Sequence, residues 1–287
     1  MQLFLEQLLN GIAIGSIYAL VTLGLALVYG ILRILHVAHA AVYTVGAYVG
    51  VFIFQYSGSL LLATLGSMVF CSILGVAIER FVYFPLLKYP PVVPLIGSIA
   101  VLLAVEELCR LVAGPYILTF SATLPFPEIH VAGITISSTL FAVYIITAGV
   151  LALLWFISTR TELGLAMRAT SQDMAIADTV GINSHAIISV TFVIGSAIAA
   201  VAGILVGIYY NQVYPTMGEV PAYKTLALIV VGGMGSVPGA VLASLLLGIA
   251  ETMLIGYANI PLPRDALAFI AMIAVLMWRS EGLLGSR

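Results

Sequence analysis

The chain has 287 residues, of which 62% are hydrophobic and only 8% charged, and its mean hydropathy is +1.20. That composition excludes a soluble domain, and a formal net charge of −2 offers no basic surface for nucleic acid. Runs of about 20 apolar residues cross a bilayer as helices, which satisfy their own backbone hydrogen bonds there. The expectation is therefore one all-α polytopic membrane domain over residues 1–287, with about 8–9 transmembrane segments and a broken or re-entrant helix pair near 225–250.

The first predicted span runs from about Gln7 to Leu32 and ends at Arg33. No basic segment precedes it and it is too long for a signal-peptide core, so it reads as a retained span. A second covers Val37–Phe54 and a third Leu60–Ile78, ending in a polar turn with Glu79, Arg80, Lys88 and Pro85, Pro90, Pro91 and Pro94. A fourth spans Leu95–Val112, and a Pro-rich segment, Gly114–Ser138, follows with Glu128 and His130 but no Lys or Arg. The fifth, Thr139–Ser158, leads into a polar loop, and the sixth, Ala186–Tyr210, leaves it. Thr225–Ala250 is apolar but broken at Gly232, Gly233, Gly235, Pro238 and Gly239, which fits two half-length pieces or a tight helical hairpin. The last run, Ala266–Trp278, is short and relies on its flanks to span. Cys71 and Cys109 fall inside spans, so neither a disulfide framework nor a cysteine metal site is suggested.

The polar loop, residues 159–183, interrupts two long uncharged runs with Arg160, Glu162, Arg168, Asp173 and Asp178. Ions in such density cannot enter hydrocarbon. Leu163, Met167, Thr170, Met174 and Ala177 follow helical spacing, and Asp178 falls close to that stripe, which favours two short helices over one. Such a loop either packs on its own membrane domain or docks on another protein. Placing it in the cytoplasm puts Arg33, Arg80, Lys88, Arg160, Arg168, Arg279 and Arg287 inside and only Lys224 and Arg264 outside, with Arg110 near the outer level. The N-terminus is then outside and the C-terminus inside.

Buried charges mark candidate sites. Glu106 and Glu107 lie four and three residues from Arg110, so either can pair with it on one helix face. The group reads either as the lining of a pathway for a polar or zwitterionic solute or as a self-neutralised structural pair. Glu251, after 26 uncharged residues, is treated likewise. The break at Gly232, Gly233 and Gly235 frees backbone groups that must face protein or a watery cavity, as a kink or a pathway element. His36 and His39 read as interfacial polar residues. Tyr209, Tyr210, Asn211 and Tyr214 read first as an aromatic belt and second as a pathway mouth. The repeated small pairs Gly11/Gly15, Gly46/Gly50, Gly203/Gly207 and Gly235/Gly239 read as close helix packing. Neither lysine, Lys88 or Lys224, follows a glycine, so the chain has no phosphate-binding loop of its own, and no catalytic constellation suggests an enzyme.

Several stretches together resemble one family. Asn10, Gly11, Gly15, Tyr18 and Leu20, with Leu23, Gly24, Tyr29 and Gly30, resemble the first span of branched-chain amino acid ABC transporter permeases of the LivH type. Thr161, Leu163, Gly164, Met167, Arg168 and Ala169, followed by Ala177, Gly181 and Asn183, look like that family's cytoplasmic coupling segment. Lys224, then Gly232, Gly233, Gly235, Ser236, Gly239, Gly248 and Glu251, resembles its C-terminal signature, and Arg279, Ser280, Gly282 and Gly285 its tail. The resemblance implies a bacterial inner-membrane permease subunit that carries branched-chain or other amino acids, short amides or urea and binds no cofactor. It implies a second homologous permease beside it, two cytoplasmic ATPases that bind the ATP, and a periplasmic solute-binding protein. Leu163, Gly164, Met167, Arg168, Asp173, Met174 and Gly181 would then contact the ATPase. Tyr18 joins Glu106, Glu107, Arg110, Gly232, Gly233, Gly235 and Glu251 as candidate pathway residues. A rival reading is an ion-coupled secondary transporter using Glu106, Glu107 or Glu251.

Overall fold

The structure, a computed structural model, describes every residue except 1, 123, 125, 127, 132–133, 258–262, 280 and 286–287. Ser280 and Arg287, named above, lie outside the described residues. In chain order the helices are α1 (Gln2–Leu32), α2 (His39–Ser57), α3 (Leu60–Leu86) and α4 (Val92–Ala113), then α5 (Ser138–Arg160), α6 (Glu162–Gln172) and α7 (Met174–Thr179). They continue with α8 (Ser184–Tyr210), α9 (Glu219–Gly232), α10 (Val237–Tyr257) and α11 (Arg264–Trp278). A small antiparallel hairpin pairs Ile129–Val131 with Ile134–Ile136. Seven of the described helices are long and apolar enough to cross a membrane, and the shorter α9 and α11 complete the expected eight to nine segments. The protein is an all-α polytopic membrane protein. Alternating crossings gather Arg33, Arg80, Lys88, Arg160, Arg168 and Arg279 at one end of the bundle.

Two boundaries differ from expectation for physical reasons. α3 does not stop at Ile78 but continues through a π-helical stretch, Glu79–Tyr83, to Leu86. Its polar residues find partners there: Glu79 accepts from Ser189 of α8 at 3.0 Å, and the Tyr83 hydroxyl bonds the His36 ring at 2.6 Å. π-bulges of this kind absorb an extra residue without ending a helix. His36 and His39, expected at an interface, are instead fully enclosed, with the two rings in edge contact.

The second difference is α9. At about 1.5 Å per residue, 14 residues reach only ~21 Å, short of a bilayer core. The preceding segment supplies the rest. Val213 pairs through its backbone with Leu118, and Gly218 sits against Thr44 and the Ala40 carbonyl of α2, so α9 starts inside the bundle. Lys224, expected outside, is consequently buried.

Small residues set the helix crossings. A Cβ on Gly15 would stand 2.8 Å from the Leu245 Cα, and one on Gly11 2.9 Å from the Ile249 Cα, so α1 and α10 touch backbone to backbone. Gly46 meets Ala200 and Gly203 meets the Tyr43 carbonyl where α2 crosses α8. Without a hydrophobic force to join helices in lipid, this close approach is what holds them. The apolar stripes that reading by period treats alike are here sorted into lipid-facing and helix-facing sides.

The turn joining α9 and α10 confirms the tight-hairpin option. Gly233 (φ +107°) and Gly235 (φ +89°) take conformations that L side chains rarely adopt. A Cβ on Gly233 would also strike the tail at the Gly285 nitrogen, 2.5 Å away, whereas one on Gly235 meets open space. The Gly235→Ala substitution should therefore cost about 1–2 kcal/mol for backbone strain alone. Gly233→Ala should cost clearly more, because it must also displace residues 282–285, which bond back to Val231 and Gly232. Thermal unfolding of both variants in detergent checks this; equal melting temperatures would contradict it.

Candidate functional site

Two features stand apart from ordinary membrane packing. The first is the hairpin α6–α7 at the basic end. Thr161 caps α6 by accepting from the Gly164 amide at 3.2 Å, Asp173 caps α7 through the Ile176 amide at 3.0 Å, and Asn183 caps α8 through the Ala186 amide at 3.1 Å. Asp173 sits in extended backbone between the two helices, which is why one amphipathic run becomes two. Asp178 accepts from the Ser184 amide at 3.0 Å, and that bond, reinforced by the Ser184 hydroxyl, holds its carboxyl below the usual carboxylate range. Gly164 lies so close to the Ile157 and Ser158 carbonyls that no side chain fits, and Gly181 (φ +90°) makes the turn into α8.

These contacts redistribute the expected coupling residues. Met167 is buried and Leu163 partly buried against the membrane domain, so the helical stripe faces inward. Arg168 donates to the Ser158 carbonyl and thereby covers the end of α5, a favourable position for a cation. The outward apolar residues are Leu165, Ile176 and Val180, at 60%, 63% and 70% exposure, with Met174 beside them. Beside the hairpin a groove of ≈ 310 Å³ is lined by Glu79, Arg80, Asn183 and His185. The stripe is what periodicity detects; the free surface is its complement.

The second feature is a charge cluster inside the bundle. Lys224 of α9 lies 3.0 Å from Glu251 of α10 and 3.2 Å from Asp265 of α11, and donates to the Tyr18 hydroxyl of α1 at 2.8 Å. Tyr18 in turn donates to Glu251 at 2.8 Å, and Tyr223 donates to Asp265 at 2.7 Å. The Lys224 and Glu251 side chains are 3% and 1% exposed, whereas Asp265 is 43% exposed. Ions this deep persist only when paired and hydrogen-bonded. Tyr18, Lys224 and Asp265 border a cavity of ≈ 240 Å³ whose other walls include Ile14, Ile17, Val206, Tyr210, Gln212 and Leu228.

Of the expected pathway residues, the structure brings Tyr18 and Glu251 together at this cluster. It does not bring Glu106, Glu107 and Arg110 there. Arg110 pairs with Glu107 at 2.6 Å on an exposed helix surface, while Glu106 points away from that pair into the protein, its Oε1 without a hydrogen-bond partner. Gly232, Gly233 and Gly235 form the turn against the tail and line no part of the cavity. Lys224, Tyr223 and Asp265 were missed as site residues. A signal existed: Lys224 and Glu251 are lone opposite charges at the two ends of a glycine-broken apolar hairpin. Tyr210 and Tyr214 line the wall of this cavity.

Residues 7–276 match the family described as "Branched-chain amino acid transport system / permease component". The chain belongs to that permease family. The permease is 35% identical over 295 residues to the high-affinity branched-chain amino acid transport system permease protein BraD of Pseudomonas aeruginosa, covering 98% of this chain and 96% of that one. It is 35% identical over 298 residues to LivH of Escherichia coli, a protein of the same description, with the same coverage. A probable branched-chain amino acid permease of Methanocaldococcus jannaschii is 26% identical, covering 98% of this chain and 92% of that relative. Among solved structures, PsaBC from Streptococcus pneumoniae in complex with Fab superposes with a TM-score of 0.51 over 96% of this chain and 89% of that one. At 15% identity that likeness speaks for the fold of the permease alone. The family is one of transport permeases, not of enzymes.

Proposed function

We propose that this permease is the membrane subunit of a bacterial inner-membrane ABC importer for branched-chain amino acids. In this reading it pairs with a second, homologous permease, receives solute from an extracytoplasmic binding protein, and is driven by two cytoplasmic ATPases that bind the ATP. The observation that carries the reading is the end-to-end match to the permease family, joined to a capped hairpin on the basic end that exposes Leu165, Ile176 and Val180. By the excess of Lys and Arg, that end faces the cytoplasm. Closing the ATPases would tilt the rigid hairpin, and Arg168 and Gly164 would pass that movement to the end of α5.

The rival ion-coupled transporter loses support from the same geometry. Two of its three carboxylates are already paired, Glu251 with Lys224 and Tyr18 and Glu107 with Arg110, while Glu106 is buried apart from both pairs. In proteoliposomes holding the permease pair, the ATPases and external binding protein, leucine should accumulate with ATP at the ATPase face and no ion gradient. Uncoupler should leave that uptake intact. Accumulation that needs an ion gradient, or a chain that never co-purifies with ATPase subunits, would overturn the importer assignment.

A further inference from the structure

We propose that the cavity beside Lys224 is a way-station for a zwitterionic aliphatic amino acid, which inserts between Lys224 and Asp265. The proposal rests on the importer reading for the identity of its solute, and on the geometry of the cluster for its location. A zwitterion leaving water for a membrane domain must find a partner for each of its charges. The cavity presents one cation and one anion side by side, with the Lys224 Nζ and the Asp265 Oδ1 3.2 Å apart at its edge.

The two halves of the cluster differ in how replaceable they are. Glu251 is sealed, holds Lys224 through both oxygens at 3.0 and 3.3 Å, and neutralises it whatever occupies the cavity. Asp265 is partly exposed and meets Lys224 through Oδ1, while its Oδ2 accepts from Tyr223. Lys224 donates to Tyr18 and Glu251 and holds Asp265 as an ion pair alone. A solute ammonium taking Oδ1 of Asp265 opens that ion pair, and Lys224 then pairs with the solute carboxylate. One ion pair opens and two form, so no charge is left alone in the interior.

The remaining walls set the side chain. Ile14, Ile17, Val21, Val206 and Leu228 are apolar, and at ≈ 240 Å³ the space is smaller than the roughly 300–1,000 Å³ of drug-sized ligand pockets, which suits one small solute. Burial against these walls favours a side chain with more apolar surface.

The test is equilibrium binding of radiolabelled L-leucine to the full chain in lipid nanodiscs, with no binding protein present. Unlabelled L-leucine should compete fully. Isopentylamine, which lacks the carboxylate, and 4-methylpentanoate, which lacks the ammonium, should each compete at least about tenfold more weakly, the scale of one lost hydrogen bond to a charged group. Asp265→Asn should weaken leucine by a similar factor and Asp265→Glu should recover part of it. Val206→Trp, which fills the cavity without touching the ions, should abolish binding. Absence of saturable leucine binding to the wild-type chain, or equal competition by the amine or the acid alone, would overturn the proposal. Because the assay contains no ATPase, such a failure leaves the importer assignment standing, and loss of ATPase co-purification would sink that assignment without touching the binding result.

Discussion

An aspartate at both Leu165 and Ile176 is expected to abolish ATP-driven uptake and solute-stimulated ATP hydrolysis while the protein still inserts in the membrane. Both side chains stand exposed on a hairpin whose inward stripe is already used by Leu163 and Met167, and no described residue covers them. Large apolar residues on a capped, rigid helical hairpin are well suited to fill a partner's pocket. Burying each is worth about 1.5–3 kcal/mol, so losing two at one interface weakens docking by roughly 10²–10⁴-fold. The control is Met167→Asp, which should lower the yield of folded protein, because that side chain packs on the membrane domain. Arg168→Glu should also impair uptake, since it puts like charge against the Ser158 carbonyl and frees the hairpin from α5. Uptake assays with membrane fractions quantified by immunoblot separate these effects. Normal ATP-dependent uptake in the double variant would remove the hairpin from the coupling path.

The second large effect concerns Lys224. Replacing it with Met leaves Glu251 sealed at 1% exposure with, among the described residues, only Tyr18 to bond it. Removing one member of a buried pair costs about 3–5 kcal/mol, because the other charge stays behind uncompensated. Lys224→Met should therefore sharply lower the melting temperature and yield in detergent. Glu251→Gln in the same chain should restore much of the loss, since a buried pair replaced on both sides is often nearly neutral. A full double-mutant cycle reads the coupling directly. The restored double variant should nonetheless fail to transport, as it has stability without the cation. If the single variant melts like the wild type, Lys224 is reaching water and the cluster is not the closed network described here.

Much of the architecture was legible because it depends on properties local to the chain. Hydropathy over a 20-residue window finds spans whatever they pack against. Asp173 breaks the polar loop because its side chain competes for the Ile176 amide, and the glycines after α9 make a turn because φ above zero favours glycine. The helix order also gathers most of the basic residues at one end of the bundle.

What failed depended on which side of a helix meets which neighbour. The Leu163/Met167 stripe was visible by period, but a period cannot say whether the stripe faces its own domain or a partner; packing gave it to the domain and left Leu165 and Ile176 outside. Glu106, Glu107 and Arg110 were adjacent in sequence, yet helical rotation turns Glu106 inward and the other two outward. Lys224 was assigned to water because charge counting treats every cation as a loop residue, and only the segment that carries α9 into the bundle shows otherwise. The sequence by itself determined a multi-pass helical permease with a polar helical hairpin and a glycine-turned helix pair, since composition, helical period and turn chemistry act within a few residues. The tertiary structure alone decided that Tyr18, Lys224, Glu251 and Asp265 meet in one cluster beside a cavity, because in lipid four charged or polar groups from four helices find stable positions only against one another.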